Sequence, residues 1–172
     1  MAVLLGSIGK LKKYSPVKEM VLVGATKKTK SELKTPIIKV RVSRGKSYDP
    51  NKVIKDNKDA EKYFREYMNQ NKIEGQEQFL VMYLARGLQV LGIYPHSIGG
   101  MTSSVVDSKV IVATGINLLA EAVITAHNHP SGNLTPSEAD IKMASKLKQA
   151  FFSQGIDLVD NLILTKNSST SY

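Results

Sequence analysis

Apolar positions along the chain alternate between short strand-length runs and helical spacings. Ile37-Ile38-Lys39-Val40-Arg41-Val42 alternates and is rich in β-branched residues, which predicts a strand. Lys27-Lys28-Thr29-Lys30 and Arg44-Gly45-Lys46 read as loops, and Asp49-Pro50-Asn51 as a breaker. Ala60, Tyr63, Phe64 and Tyr67 then recur at three and four residues, so a helix is expected over 56–71. Residues 79–84 form a continuous apolar run. Arg86-Gly87 turns the chain, and 89–94 returns as a second strand of a hairpin. A helix follows over about 107–121, then a short buried strand over 122–125 that leads directly to His127. Thr135-Pro136-Ser137-Glu138 predicts a helix start, with Thr135 as cap, Pro136 in the first turn and Glu138 completing a capping box. That helix ends near Gly155, and 156–165 is a last strand. The order β-β-α-β-α-β is that of an α/β sandwich, whose sheet the strand over 37–42 could extend.

Composition narrows the class. The chain has 172 residues, 42% of them apolar, as in a soluble globular protein. No apolar run approaches the roughly 20 residues of a membrane-spanning helix. The start, Met-Ala-Val-Leu-Leu-Gly, lacks a basic residue before a stretch too short for a signal peptide. A cytoplasmic protein without a membrane partner is therefore expected. Cysteine is absent, which excludes disulfides and thiolate metal sites. The net charge of +9 is uneven. Residues 1–55 carry 14 Lys or Arg against three acids, or +11; residues 56–172 carry ten against 12, or −2. Such asymmetry fits an arm that meets a polyanion such as nucleic acid, and equally a solvated basic tail. No aromatic or Gly-rich nucleic-acid motif accompanies the charge.

Candidate chemistry gathers where 122–125 ends. In extended chain residues i and i+2 point the same way, so His127 and His129 can face one point. Pro130-Ser131-Gly132 turns the chain, and Ser137 and Asp140 then share one face of the next helix. Asp140 can supply a carboxylate as third ligand. Two imidazoles and one carboxylate, with the fourth position open, form a catalytic zinc arrangement. His-x-His alone is usually a chance pair, and Ser-x-x-Asp alone is usually a cap. Their combination at this spacing, at a strand end and a capped helix, is far more specific. The letters His-Asn-His also spell the name of a nuclease class, but there the three residues lie far apart in sequence. A zinc hydrolase further needs a carboxylate to carry a proton. Glu77, just before the first core strand, could do so; composition alone does not choose it over Glu74 or Glu121.

The run His127-Asn128-His129-Pro130-Ser131-Gly132-Asn133-Leu134-Thr135-Pro136-Ser137-Glu138-Ala139-Asp140 resembles the signature of RadC-like proteins, the bacterial branch of the JAB (JAMM, MPN-plus) metalloproteases. The similarity covers roughly 76–172, including 79–84, Gly99-Gly100 and 155–164. It implies an α/β sandwich of the cytidine-deaminase-like kind, with 1–55 as a basic extension and 56–172 as the zinc domain. It implies Zn2+ held by His127, His129 and Asp140. Glu77 then maps onto the catalytic carboxylate, and Ser137 onto a serine that stabilises an oxyanion or holds the water. The implied function is a peptidase or isopeptidase acting on peptide or protein substrates, such as ubiquitin-like tags. The branch also carries a DNA-repair label, and short relatives ride on mobile elements. That implies an alternative, an accessory protein binding nucleic acid through the basic arm. A metal-free scaffold is a third possibility, against which the intact ligand set counts. The chain departs from the pattern at Tyr94, where relatives usually have an acid, and at Asp160-Asn161, where they have Asp-His. Residues 1–70 do not resemble the helix-hairpin-helix region of full-length RadC, and relatives usually continue beyond the position of Tyr172.

Overall fold

In the computed structural model of the chain, residues 20–23, 39–42, 49, 51–68, 70–98 and 106–172 are described. Strand β3 (Gln78–Leu84) is buried along its whole length, which explains why residues 79–84 are continuously apolar rather than alternating. It is flanked on both sides in a five-stranded sheet of order β4-β3-β5-β6-β7. The other strands are β4 (Val90–Ile98), β5 (Ala122–Asn128), β6 (Asp157–Leu164) and β7 (Ser169–Ser171). All pairs are antiparallel except β5 with β6. That parallel pair needs a crossover, and α3 (Glu138–Phe152) supplies it.

Alternate residues of the sheet feed two cores. Leu80, Met82, Leu84, Ile124 and Leu162 pack with Ala60 and Phe64 of α1 (Asn57–Tyr67). Phe79, Val81, Tyr83 and Val123 pack with Ile111 of α2 (Ser108–Leu118) and with Leu147 and Phe151 of α3. Each large apolar side chain so buried contributes about 1.5–3 kcal/mol. The result is the expected α/β sandwich, a sheet between one helix and two. Residues 52–54 join it at the hairpin: the Ile54 N–H donates to Leu88 O, the Val90 N–H donates to Lys52 O, and Ile54 is buried.

Several boundaries differ from expectation. The first helix stops at Tyr67 because Met68 turns extended and buries its side chain; a 3₁₀ turn follows at Gln70–Lys72. Strand β4 runs past Pro95 to Ile98, which an edge strand tolerates because its outward N–H groups need no partner. Strand β7 is a polar triplet with no apolar pattern, and only its pairing with residues 162–164 makes it a strand. Helix α3 begins two residues later than expected: Ser137 is the cap and Asp140 its capping-box partner, in place of Thr135 and Glu138. The Asp140 carboxylate accepts from the Ser137 N–H, which holds that residue outside the helix, while Glu138 faces solvent beside Lys142.

The N-terminal strand is observed as β2 (Lys39–Val42), but it does not extend the domain's sheet. It pairs antiparallel with β1 (Met20–Val23) in a separate two-stranded sheet, the nearer partner along the chain. The expected loops at Lys27-Lys28-Thr29-Lys30 and Arg44-Gly45-Lys46, and the Gly99-Gly100 pair, lie outside the described residues. Among the described residues no helix is long and apolar enough to cross a membrane.

Candidate metal centre

Strand β5 is laddered on both sides: His127 lies opposite Phe79 of β3 and Ile163 of β6. The ladder extends one residue past the strand, since the His129 N–H donates to Leu164 O at 2.9 Å. The backbone therefore stays extended from His127 to His129, and both rings fall on one side. Their centroids are 4.8 Å apart and their Nε2 atoms 3.0 Å apart. The Phe79 ring stacks on the His127 ring from behind. After His129 the chain reverses: the Gly132 N–H donates to His129 O, and Gly132 adopts φ +79°, a conformation glycine takes without strain. The turn brings Asn133 O to 2.7 Å from His129 Nδ1. That carbonyl can only accept, so Nδ1 carries the proton and Nε2 presents a lone pair.

Asp140 arrives from the first turn of α3. Its Oδ2 accepts from the Ser137 N–H at 2.7 Å and from the Ser137 hydroxyl at 2.6 Å. Its Oδ1 lies 3.3 Å from His127 Nε2, and Oδ2 lies 3.5 Å from His129 Nε2. Only 4% of the Asp140 side chain is exposed. Burial by itself raises such a carboxyl's pKa, but the hydrogen bonds from His127 and Ser137 and the His127 charge outweigh it. The group is held well below the usual carboxylate range and so is ionised.

His127, His129 and Asp140 thus form a group that can hold a metal ion. Lone pairs this close repel one another unless a proton or a metal ion lies among them. Bonds of about 2.0–2.1 Å in a tetrahedral set separate neighbouring donors by roughly 3.3–3.4 Å. The observed 3.0, 3.3 and 3.5 Å bracket that spacing, so the residues present fit the ion that the sequence pattern implies.

Glu77 is placed by the backbone. Half-buried Glu77 immediately precedes β3, two residues before Phe79, which lies opposite His127. Glu74 instead pairs with Lys166 at 2.8 Å, and Glu121 lies at the far end of β5. The departures from the family pattern also find their places. Tyr94 packs in the core beside α2 and α3, edge-on to His96. Asn161 accepts from the Thr125 hydroxyl at 2.7 Å and donates to Tyr172 O. The Tyr172 ring stands edge-on to His127, and burial together with the Asp140 charge raises the pKa of its phenol. Phe79, Thr125, Asn161 and Tyr172 line a small crevice beside His127 and Asp140. The sequence reading missed Asn133, Thr125 and Tyr172 as neighbours of the site. Their roles depend on a backbone carbonyl, a polar strand residue and a strand with no pattern, none of which leaves a sequence signal.

A family model, the RadC-like JAB domain, matches residues 54–172. A UPF0758 protein of Fusobacterium nucleatum is 34% identical over 142 residues, 82% of this chain and 60% of that protein. A relative of the same name from Geobacillus is 36% identical over 124 residues, 72% and 53% of the two chains. One from Carboxydothermus hydrogenoformans is 41% identical over 96 residues, 56% and 42%. The chain spans about half the length of the curated relatives it matches. With the match covering well over half its residues, and including His127, His129 and Asp140, the chain belongs to the RadC-like JAB domain family.

Proposed function

We propose that this chain is a zinc-dependent peptidase or isopeptidase that cleaves a peptide or protein substrate. The observation carrying the reading is the convergence of His127, His129 and an ionised, buried Asp140, with His129 held by Asn133 O and Asp140 by Ser137. Two imidazoles and one carboxylate leave a metal with an open position, as catalytic zinc sites do. Bound zinc would supply a water acidified toward neutrality and a Lewis acid for the scissile carbonyl.

The chain's own groups do the rest. Glu77 takes the proton of the attacking water and returns it to the leaving amine, which balances the proton across the reaction. The Ser137 hydroxyl proton points at Asp140 Oδ2, so in this state Ser137 orients the ligand. To stabilise an oxyanion, the hydroxyl turns from Asp140 toward the substrate while the Ser137 N–H keeps Oδ2 bonded. The test is metal content of the purified protein, followed by cleavage of a peptide library with and without chelator. We expect about one zinc per chain and cleavage that chelator abolishes and zinc restores. A zinc-free protein, or cleavage indifferent to chelator, refutes the reading.

The charge asymmetry supports a second role: nucleic-acid binding by the basic N-terminal arm, with +11 over residues 1–55. The two are compatible, since the arm and the ligands occupy different parts of the chain.

A further inference from the structure

We infer that Asn128 is a positioning residue that fixes the backbone on both sides of Glu77, and so sets the proton-carrying carboxylate against the metal ligands. The inference rests on the proposed hydrolysis and assigns a part of its machinery that the ligand pattern does not contain.

Asn128 is fully buried. The pleat of β5 turns its side chain away from the imidazoles of His127 and His129, onto the other face of the sheet. A buried primary amide there needs partners, and three are present. Its Oδ1 accepts from the Gln78 N–H at 2.7 Å. Its Nδ2 donates to Ile73 O at 2.7 Å and to Gln76 O at 2.9 Å. The positions of these partners matter more than their number. Gln76 O belongs to the peptide group before Glu77, and the Gln78 N–H belongs to the peptide group after it. Those two groups flank the Glu77 Cα, so one amide holds both peptide planes from which the Glu77 side chain departs. The same residue is joined covalently to His127 and His129. The distance between base and ligands is thus set through a single rigid side chain rather than through the length of β3.

Few side chains can do this. Serine cannot span from β5 to both Ile73 O and Gln76 O. Aspartate keeps the acceptor for the Gln78 N–H but loses both donors and sets a carboxylate against two carbonyls. Neither change touches a ligand or removes the Glu77 carboxyl. Misplacement of a catalytic group by about 1 Å costs on the order of 100-fold in rate.

The experiment compares the zinc-loaded full chain with Asn128→Ser and Asn128→Asp, each also combined with Glu77→Gln. On a peptide that wild type cleaves, we expect Asn128→Ser to lower kcat on the order of 100-fold, with KM within about threefold and zinc still near one per chain. In the Glu77→Gln background the same change should lower kcat by less than about threefold, because the carboxylate it serves is already gone. Additive losses in the double variant, or a loss confined to KM, overturn the inference. A second readout needs no activity. Hydrogen exchange of zinc-loaded Asn128→Ser should rise in residues 73–78 and stay unchanged in β5 and α3. If wild type cleaves nothing, the hydrolytic reading fails while this measurement still decides the clamp. Unchanged protection in 73–78, or protection lost throughout the domain, overturns it. Should Asn128→Ser not fold, Asn128→Asp carries the same two readouts.

Discussion

Ser137→Ala removes two interactions from one oxygen, and its cost can be worked from the contacts. The Ser137 hydroxyl caps α3 by accepting from the Asp140 N–H at 3.2 Å. Loss of such a cap typically costs about 1 kcal/mol. The hydroxyl also donates to Asp140 Oδ2 at 2.6 Å. Hydrogen bonds to charged groups contribute about 1.5–3 kcal/mol. The Ser137 N–H remains on the same oxygen, so the carboxylate keeps a partner and the low end applies. Together the loss is about 2.5 kcal/mol. A domain of this size shifts by roughly 3–4 °C per kcal/mol, so Tm should fall by roughly 8–10 °C. The assay is calorimetry in chelator at neutral pH, which isolates the protein's own bonds. The pH dependence has a definite sign. Asp140 is held below its ordinary pKa in the fold, so its stabilisation is full above the unfolded value of about 3.9 and is lost as pH falls through the folded value. Removing the hydroxyl moves the folded value up toward the unfolded one. The gap in Tm between wild type and variant is therefore widest near neutrality and narrows as pH falls below about 4, leaving the share of about 1 kcal/mol that belongs to the cap and does not titrate. Zinc affinity should fall by about 10–100-fold, because the bond that aims Asp140 is gone. A Tm within about 2 °C of wild type, together with unchanged zinc affinity, refutes the argument that Ser137 preorganises the site.

His129→Ala should reduce bound zinc to near zero in elemental analysis while the helices persist in circular dichroism; full zinc occupancy in that variant removes His129 from the ligand set. Glu77→Gln should leave zinc content and Tm unchanged and lower turnover by at least on the order of 100-fold, since the amide cannot carry a proton. Unchanged turnover there moves the role to another carboxylate. For the basic arm, the β1–β2 pairing alters the design of the test: deleting residues 1–35 would remove the partner of β2. Replacing Lys10, Lys12, Lys13 and Lys18 with Gln keeps both strands and should weaken nonspecific DNA binding and flatten its salt dependence, by up to about 0.9 in log–log slope per lost phosphate contact. Identical affinity at every salt concentration ends the nucleic-acid role of these lysines.

The group that can hold a metal was legible in the sequence because its geometry is local. His127 and His129 share a side by strand alternation, and Ser137 and Asp140 share a face by helical spacing; neither relation depends on what packs around them. The hairpin, the central helices and β6 were legible for the same reason, as period and length reflect which faces are buried. Pairing between distant segments was not legible. The strand over 37–42 showed its propensity but not its partner, and β7 became a strand only by meeting β6. The choice of Ser137 over Thr135 as cap also waited on the fold, because both can accept from a helix N–H and only the Asp140 carboxylate distinguished them. The same holds for Glu77 among its neighbours. Three glutamates were open in the sequence; the fold pairs Glu74 with Lys166, leaves Glu121 at the far end of β5, and sets Glu77 between the two backbone groups that Asn128 holds. A sequence specifies which residue types recur at which period. Which of several equivalent carboxylates or hydroxyls reaches a given atom is decided by hydrogen bonds between segments some 50 residues apart, and those exist only once the sheet has assembled.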